Sequence, residues 1–230
     1  MIKTILWDID ATILDFYKAE YNSICYCFNK YNLGECNADT VKCYSDINAS
    51  YWKKLERGEL TKQQVLEYRF IDFFKVIGAN DINANEFSRE YEIHLCDTIC
   101  FLDNADALLK SFKGKYRQYA VTNGSYDIQT IRLKKSGLSD ILDGAFISDR
   151  VGYEKPSRQF FDYVFANIEP CEKDEIIIVG DSLTSDMQGG NNAGIKCCWY
   201  NPSKKKNIGE VTVDFEIKNL NELPDILNTF

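Results

Sequence analysis

Short runs of apolar residues alternate with helical patterns along most of the chain. Six runs predict β-strands, at residues 3–9, 118–122, 144–147, 175–179, 196–200 and 211–217. Periodic apolar positions between the later runs predict helices at 126–136, 157–168, 184–193 and 221–228. Strands that alternate with helices form βαβ units. The pattern therefore predicts an α/β protein, with a Rossmann-like, doubly wound parallel sheet that carries helices on both faces.

Residues 15–98 interrupt this alternation. They contain no proline, and their apolar residues recur at helical spacing. Thr61 with Gln64 fits a capping box at the start of one helix. We predict four helices in this block. Because the block follows the first strand, we predict an inserted α-helical domain at 15–98 and an α/β core domain formed by 1–14 and 99–230.

Composition and charge narrow the class of protein. The chain has 230 residues, 45% of them hydrophobic, and 27 Lys and Arg against 35 Asp and Glu give a net charge of −8. An acidic protein repels nucleic acid and anionic membranes, so we expect neither a nucleic-acid polymer nor a membrane as a partner. The single histidine, His94, excludes chemistry that needs two.

The cysteines and the N-terminus bear on location. Nine cysteines without a CxxC spacing are typical of reduced thiols. The first apolar run is too short for a signal peptide, and no stretch approaches the ~18 apolar residues of a membrane span. We therefore expect a cytoplasmic protein.

Asp8 and Asp10 directly follow the apolar part of the first predicted strand. Because side chains alternate along a strand, the two carboxylates lie on the same side and can reach a common crevice. Open α/β sheets bind their ligands at this edge. The pair can supply a nucleophile and a general acid, hold Mg²⁺, or do both. It can equally cap the following loop.

Thr122, Asn123 and Gly124 close the next strand of the predicted sheet. The threonine hydroxyl and the backbone N–H groups of the turn form a set of donors, and the positive end of the helix that begins near Ser125 faces the same way. Oxyanions, above all phosphate, fit such a place. The alternative is an ordinary turn in which Ser125 caps the helix.

Two further clusters contain a lysine and a second pair of acids. Lys155 precedes a proline in extended backbone, where it can neutralise carboxylates or phosphate oxygens, or simply belong to a surface loop. Asp181 follows Gly180 at the end of an apolar strand, and Asp186 lies nearby. Their oxygens suit Mg²⁺. All four clusters lie at the carboxyl ends of predicted strands, so neighbouring strands would bring them into one crevice.

These four motifs together resemble those of the haloacid dehalogenase superfamily of phosphohydrolases. Its DxD motif matches Asp8–Leu14, its Ser/Thr motif matches Thr122–Gly124, its lysine motif matches Lys155-Pro156, and its last acidic motif matches 180–186. The resemblance covers the whole chain. Ala11 departs from the pattern, because the family usually has glycine there. In this family a helical block at 15–98 is a cap domain that selects the substrate.

The resemblance also implies catalytic roles. Asp8 would attack phosphorus and form an aspartyl-phosphate, and Asp10 would protonate the leaving alcohol and then activate water. Mg²⁺ would be the cofactor, bound by the side chains of Asp8 and Asp181 and by the backbone carbonyl of Asp10. Asp186 would orient the waters of the metal or Lys155.

The phosphoryl group of the substrate would be bound by Thr122, Asn123, Gly124 and Lys155, and Lys155 would also serve in catalysis. Among subgroups, the Val-Thr-Asn-Gly stretch and the run at 189–194 look most like pyrimidine 5′-nucleotidases, which implies a nucleoside 5′-monophosphate as the substrate.

Other functions on related scaffolds stay open at this stage. A β-phosphoglucomutase-like mutase, or a phosphatase of broad sugar-phosphate specificity, is compatible with the same core motifs. A haloacid dehalogenase needs no second aspartate, so Asp10 argues against one. A receiver-like signalling module that accepts phosphate is about half as long, and the inserted block argues against it. We expect a small phosphomonoester as the partner and a monomer or small homo-oligomer.

Overall fold

A computed structural model describes residues 1–209 and 211–230. Within these residues the chain forms two compact units, one of Met1–Asp15 with Cys100–Phe230 and one of Phe16–Ile99. These bounds lie one residue from those that we predict for the core and inserted domains. The role of the second unit as a substrate-selecting cap stays a prediction.

Helices and strands follow one another along the chain as predicted for an α/β protein with a helical insertion. The strands are β1 (Thr4–Trp7), β2 (Arg117–Thr122), β3 (Gly144–Ile147), β4 (Ile176–Gly180), β5 (Lys196–Tyr200) and β6 (Phe215–Ile217). The α-helices are α1 (Phe16–Lys30), α2 (Ala38–Glu56), α3 (Lys62–Ile77), α4 (Ala84–Leu95), α5 (Ala105–Phe112), α6 (Tyr126–Lys135), α7 (Ser148–Val151), α8 (Arg158–Ala166), α9 (Gln188–Ala193) and α10 (Leu223–Leu227).

One parallel sheet forms the centre of the first unit. Its order among the described residues is β3-β2-β1-β4-β5-β6, and every neighbouring pair is parallel. β1 pairs with β2 on one side and β4 on the other, so Leu6 lies opposite both Tyr119 and Ile178. All residues of β1 and β4 are buried, as expected for parallel strands that helices cover on both faces. This confirms the predicted fold class.

The helical unit has an aromatic core of its own. Tyr44 stacks on Phe70 at 4.9 Å between ring centroids, and Tyr91 packs edge-on against both rings. The predicted capping box at the start of α3 is present, because the Thr61 side chain accepts from the Gln64 amide and the Gln64 side chain from the Thr61 amide. Helix packing and caps therefore stabilise this unit without a sheet.

The structure differs from the sequence prediction at several elements. α5 and α7 were not predicted, because one is short and follows a left-handed Asn104 without a side-chain cap and the other has a single turn. The helix predicted at 184–193 begins with a π-helical turn, Leu183–Met187, before α9. β6 is shorter than the run predicted for it. Within the described part of the chain, no helix combines the length and apolar character needed to cross a bilayer.

Candidate active site

Three adjacent strands of the sheet deliver the predicted motifs to one edge. Asp8 directly follows β1, Thr122 ends β2, and Asp181 directly follows β4. Since β2, β1 and β4 are neighbours and parallel, their carboxyl ends meet at the same edge. Lys155 arrives differently, because α7 separates it from β3. The lysine nevertheless reaches the same edge, because its Nζ lies 2.8 Å from Asp8 Oδ1.

Three aspartates form a compact carboxylate cluster at this edge. Oxygen atoms of Asp8, Asp181 and Asp186 all lie within 4.8 Å of one another. Asp8 and Asp186 are buried, and Asp181 is partly exposed. Two of the three are held from outside the cluster: Thr12 Oγ1 donates to Asp8 Oδ2 at 3.0 Å, and the amide of Ser182 donates to Asp186 Oδ2 at 3.1 Å.

Local sequence explains how two of these acids approach so closely. Gly180 ends β4, and a Cβ atom at this position would lie 2.2 Å from Asp186 Oδ2. Glycine is therefore required for the side chain of Asp186 to fold back over the end of the strand. The main chain after the strand is fixed by β5, since Trp199 Nε1 donates to the carbonyl of Asp181 at 2.9 Å.

Lys155 places a buried cation in the same cluster. Its Nζ donates to Asp8 Oδ1 at 2.8 Å, to Asp186 Oδ1 at 2.6 Å and to the carbonyl of Val121 at 2.7 Å. The Asn123 side chain binds the backbone of the lysine twice, accepting from its N–H and donating to its carbonyl, both at 2.8 Å. The side chain of Asn123 thus positions Lys155. Only the main chain of Asn123 remains for a contact with phosphate.

Burial and like charge perturb the ionisation of the cluster. Burial, and then the nearby Asp186, raise the pKa of Asp8 well above its usual range, although Lys155 opposes them. The same two causes raise the pKa of Asp181 to about 7. Burial acts to lower the pKa of Lys155, but Asp186 and Asp8 together raise it above its usual value. The lysine is therefore charged at neutral pH, and the raised pKa values of Asp8 and Asp181 show that their negative charges are not fully compensated by it.

The donor set fits a hard divalent cation. Mg²⁺ prefers carboxylate oxygens and keeps some water ligands, and no nitrogen or sulfur ligand is needed. Three carboxylates with one lysine carry excess negative charge that such an ion would offset. Asp8 and Asp181 would bind the ion, as the family resemblance implies. Asp186 is buried and pairs with Lys155, and its carboxylate lies close enough to the other two to bind the same ion.

The threonine motif is turned toward its own loop. Thr122 is buried, and its Oγ1 accepts from the amide of Gly124 at 3.2 Å. A hydroxyl group can accept one hydrogen bond and donate another, so the Thr122 hydroxyl can still donate to an oxyanion. Ser125 precedes α6 but makes no side-chain cap, whereas Asp149 Oδ2 accepts from the amide of Tyr126 at 2.8 Å. Ser125 therefore occupies the N-cap position that the alternative interpretation gave it, but its side chain does not make the capping hydrogen bond.

Asp10 lies apart from the carboxylate cluster, and two residues that the sequence analysis missed hold it. Gln129 Nε2 donates to Asp10 Oδ2, and Arg132 Nη1 donates to Asp10 Oδ1. Both come from α6, where positions three apart share a helix face. The spacing of Gln129 and Arg132 indicates that they share a helix face. The sequence near them does not indicate that they contact an aspartate more than a hundred residues earlier.

Comparison with known proteins agrees with the fold. The sequence profile of the haloacid dehalogenase-like hydrolases matches residues 5–200. The chain belongs to this family of hydrolases.

Several relatives are similar over nearly the full length. YfnB of Bacillus subtilis, a HAD-hydrolase by name, is 35% identical over 98% of this chain and 95% of its own. Its crystal structure bound to magnesium has a TM-score of 0.93 and covers 99% of both chains at 34% identity. The pyrimidine 5′-nucleotidase PynA of Streptococcus pneumoniae is 33% identical over 98% of this chain and 95% of its own. The pyrimidine 5′-nucleotidase YjjG of Escherichia coli is 27% identical over 97% and 96%.

Proposed function

We propose that this protein is a Mg²⁺-dependent phosphatase that hydrolyses a small phosphomonoester through an aspartyl-phosphate. The observation that carries the proposal is the surroundings of Asp8. One carboxylate oxygen is bound by Lys155 and the other by Thr12, at the edge where two other acids gather. A carboxylate fixed in this way is oriented as a nucleophile and needs no further rotation.

The first chemical step would transfer the phosphoryl group to Asp8. A bond forms between a carboxylate oxygen and phosphorus while the bond from phosphorus to the leaving oxygen breaks, and Asp10 gives that oxygen its proton. In the second step Asp10 takes a proton from water, whose oxygen attacks phosphorus and breaks the bond to Asp8. Inorganic phosphate leaves, and both aspartates regain their starting states. Bound Mg²⁺ would supply positive charge beside the phosphoryl oxygens.

The remaining motif residues would hold the phosphoryl group. Lys155 already lies 2.8 Å from the nucleophile, so its ammonium can follow the negative charge as it moves onto the transferred group. The Thr122 hydroxyl and the backbone N–H of Asn123 would donate to the other oxygens. The N–H of Gly124 donates to Thr122 Oγ1, and it would have to exchange that partner for a phosphoryl oxygen.

We further propose a nucleoside 5′-monophosphate, and a pyrimidine nucleotide in particular, as the substrate. The support is similarity along the whole chain to two proteins named pyrimidine 5′-nucleotidases. A sugar phosphate is the main competing substrate, because the core motifs act only on the phosphoryl group.

The test is phosphate release from a panel of nucleoside monophosphates, sugar phosphates and small organophosphates, with Mg²⁺ or with EDTA. We expect pyrimidine nucleotides to give the highest kcat/KM and EDTA to abolish turnover. Asp8→Asn should remove activity without unfolding the protein, which circular dichroism checks. Asp225→Asn, an exposed acid on α10, is the matched control. Turnover by Asp8→Asn close to wild type would overturn the mechanism, and a preference for sugar phosphates would overturn the substrate.

A further inference from the structure

The carboxylate of Asp10 is clamped by two side chains of one helix. Gln129 donates to one oxygen and Arg132 to the other, so both oxygens are fixed and the plane of the carboxyl group is set. The Asp10 side chain itself is 26% exposed, while that of Arg132 is 1% exposed. The clamp therefore lies behind Asp10 and leaves its outer side open.

The burial of the clamp argues against a purely stabilising role. Arg132 and Gln129 are both almost completely buried. Nε and Nη2 of Arg132 and Oε1 of Gln129 have no hydrogen-bond partner among the residues that the structure describes. Leaving buried polar groups unmatched costs free energy, and an apolar pair would pack here without that cost. An unmatched buried polar group in a folded protein needs an explanation, and a role in the site is the one that the contacts with Asp10 support.

The backbone on both sides is shaped for this contact. A Cβ atom on Gly124 would lie 2.3 Å from Gln129 Nε2, so glycine at the end of the threonine motif leaves the space that the glutamine occupies. On the other side, Ala11 has a φ of 64°, and its amide donates to the carbonyl of Leu14 at 2.9 Å. The chain therefore turns sharply just after Asp10.

We propose that Arg132 and Gln129 are positioning residues that hold the Asp10 carboxyl group in line with the leaving oxygen during phosphoryl transfer. This inference rests on the proposed function and deepens it, because it assigns these two residues a role in the proton transfers that Asp10 performs. Neither residue touches the substrate. Both act by restricting the rotation of Asp10, so that its proton is delivered along one direction.

A comparison of leaving groups separates this role from a structural one. An alkyl leaving group, such as the ribose oxygen of a nucleotide, needs a proton as it departs, whereas p-nitrophenolate does not. The ratio kcat/KM reports only the steps up to departure of the alcohol, which differ between the two substrates. The later attack of water on the aspartyl-phosphate is common to both and is excluded from this ratio.

The variants are Arg132→Met, Arg132→Lys and Gln129→Leu, measured with a nucleoside 5′-monophosphate and with p-nitrophenyl phosphate. We expect each to lose at least about tenfold more kcat/KM with the nucleotide than with the aryl ester, because general acid catalysis contributes about 10²–10⁴-fold. Arg150→Met, at an exposed arginine on α7, is the matched control and should lose equally little with both substrates. Melting temperatures identify any variant that is not folded, and Gln129→Leu then carries the test, because it removes no charge.

Asp10→Asn provides the decisive background. It should show the same selective loss, and adding Arg132→Met to it should lower the nucleotide rate little further, because there is no acid left to position. Equal losses with both substrates, or additive losses in the Asp10→Asn background, would overturn the positioning role while leaving the phosphatase proposal intact. Failure of the wild-type protein to release phosphate from either ester would instead overturn the proposed function.

Discussion

Replacing Lys155 by methionine removes the cation from the buried carboxylate cluster, and we expect a large loss of stability. Nζ lies 2.8 Å from Asp8 Oδ1 and 2.6 Å from Asp186 Oδ1, and the lysine side chain is 1% exposed. At an effective dielectric constant of about 20, each pair gains about 6 kcal/mol of Coulomb energy, which offsets the desolvation of the ammonium. Removing one partner of a buried pair costs about 3–5 kcal/mol, so we expect a loss of about 4 kcal/mol.

The loss should depend on pH, because the carboxylates can take up protons in place of the lysine. The pKa values of Asp8 and Asp181 are both raised by burial and then by Asp186. A carboxyl group with a folded-state pKa above its unfolded value stabilises the fold at low pH, and this contribution disappears as the pH rises through the folded pKa. The Lys155→Met variant lacks the charge that opposes these shifts. Its deficit should therefore be smaller at pH 5 than at pH 8.

Urea unfolding in EDTA, followed by circular dichroism at both pH values, measures this free energy. Lys110→Met is the control, since Lys110 forms an exposed pair with Asp106 on α5 and should cost less than about 1 kcal/mol. Adding Asp186→Asn to the Lys155→Met variant removes one of the unpaired charges and should restore part of the loss. A deficit below about 1 kcal/mol at pH 8 would show that the cluster does not depend on the lysine, and would refute this reasoning.

Three other features of the core unit give separate expectations. Mg²⁺ affinity, measured by titration calorimetry, should rise from pH 6 to pH 8. Burial and Asp186 raise the pKa of Asp181 to about 7, so protons compete with the metal at the lower pH, and equal affinities would contradict this. Gly180→Ala should lower the free energy of unfolding by about 1–3 kcal/mol, because the added Cβ would lie 2.2 Å from Asp186 Oδ2. Gly209→Ala is the control, since a Cβ there would lie no closer than 3.9 Å to any neighbouring atom that the structure describes. Ala11→Gly should raise stability by about 1 kcal/mol in urea unfolding, because Ala11 has a φ of 64°; no gain would show that the turn tolerates the Cβ without strain.

The predicted elements that match the structure are those with strong local signals. The runs at 144–147 and 196–200 coincide with β3 and β5, because each is a short apolar run with an aromatic residue that polar residues follow directly. The cap of α3 was readable from Thr61 and Gln64 alone. α5 escaped prediction because its eight residues and left-handed entry carry no capping signal. The length of an element and its local capping hydrogen bonds thus decided whether the sequence could predict it.

The sequence by itself determined the chemical inventory of the site and the edge of the sheet where it would collect. Acids, a threonine and a lysine occur near the ends of apolar runs, and parallel strands bring their carboxyl ends to one edge whatever the details of packing. Only the tertiary structure decided the partners. Asn123 holds the backbone of Lys155, and Arg132 holds Asp10, across separations of 32 and 122 residues. Such contacts depend on how α6 and the lysine loop pack against the sheet, and no local pattern in the chain encodes that packing.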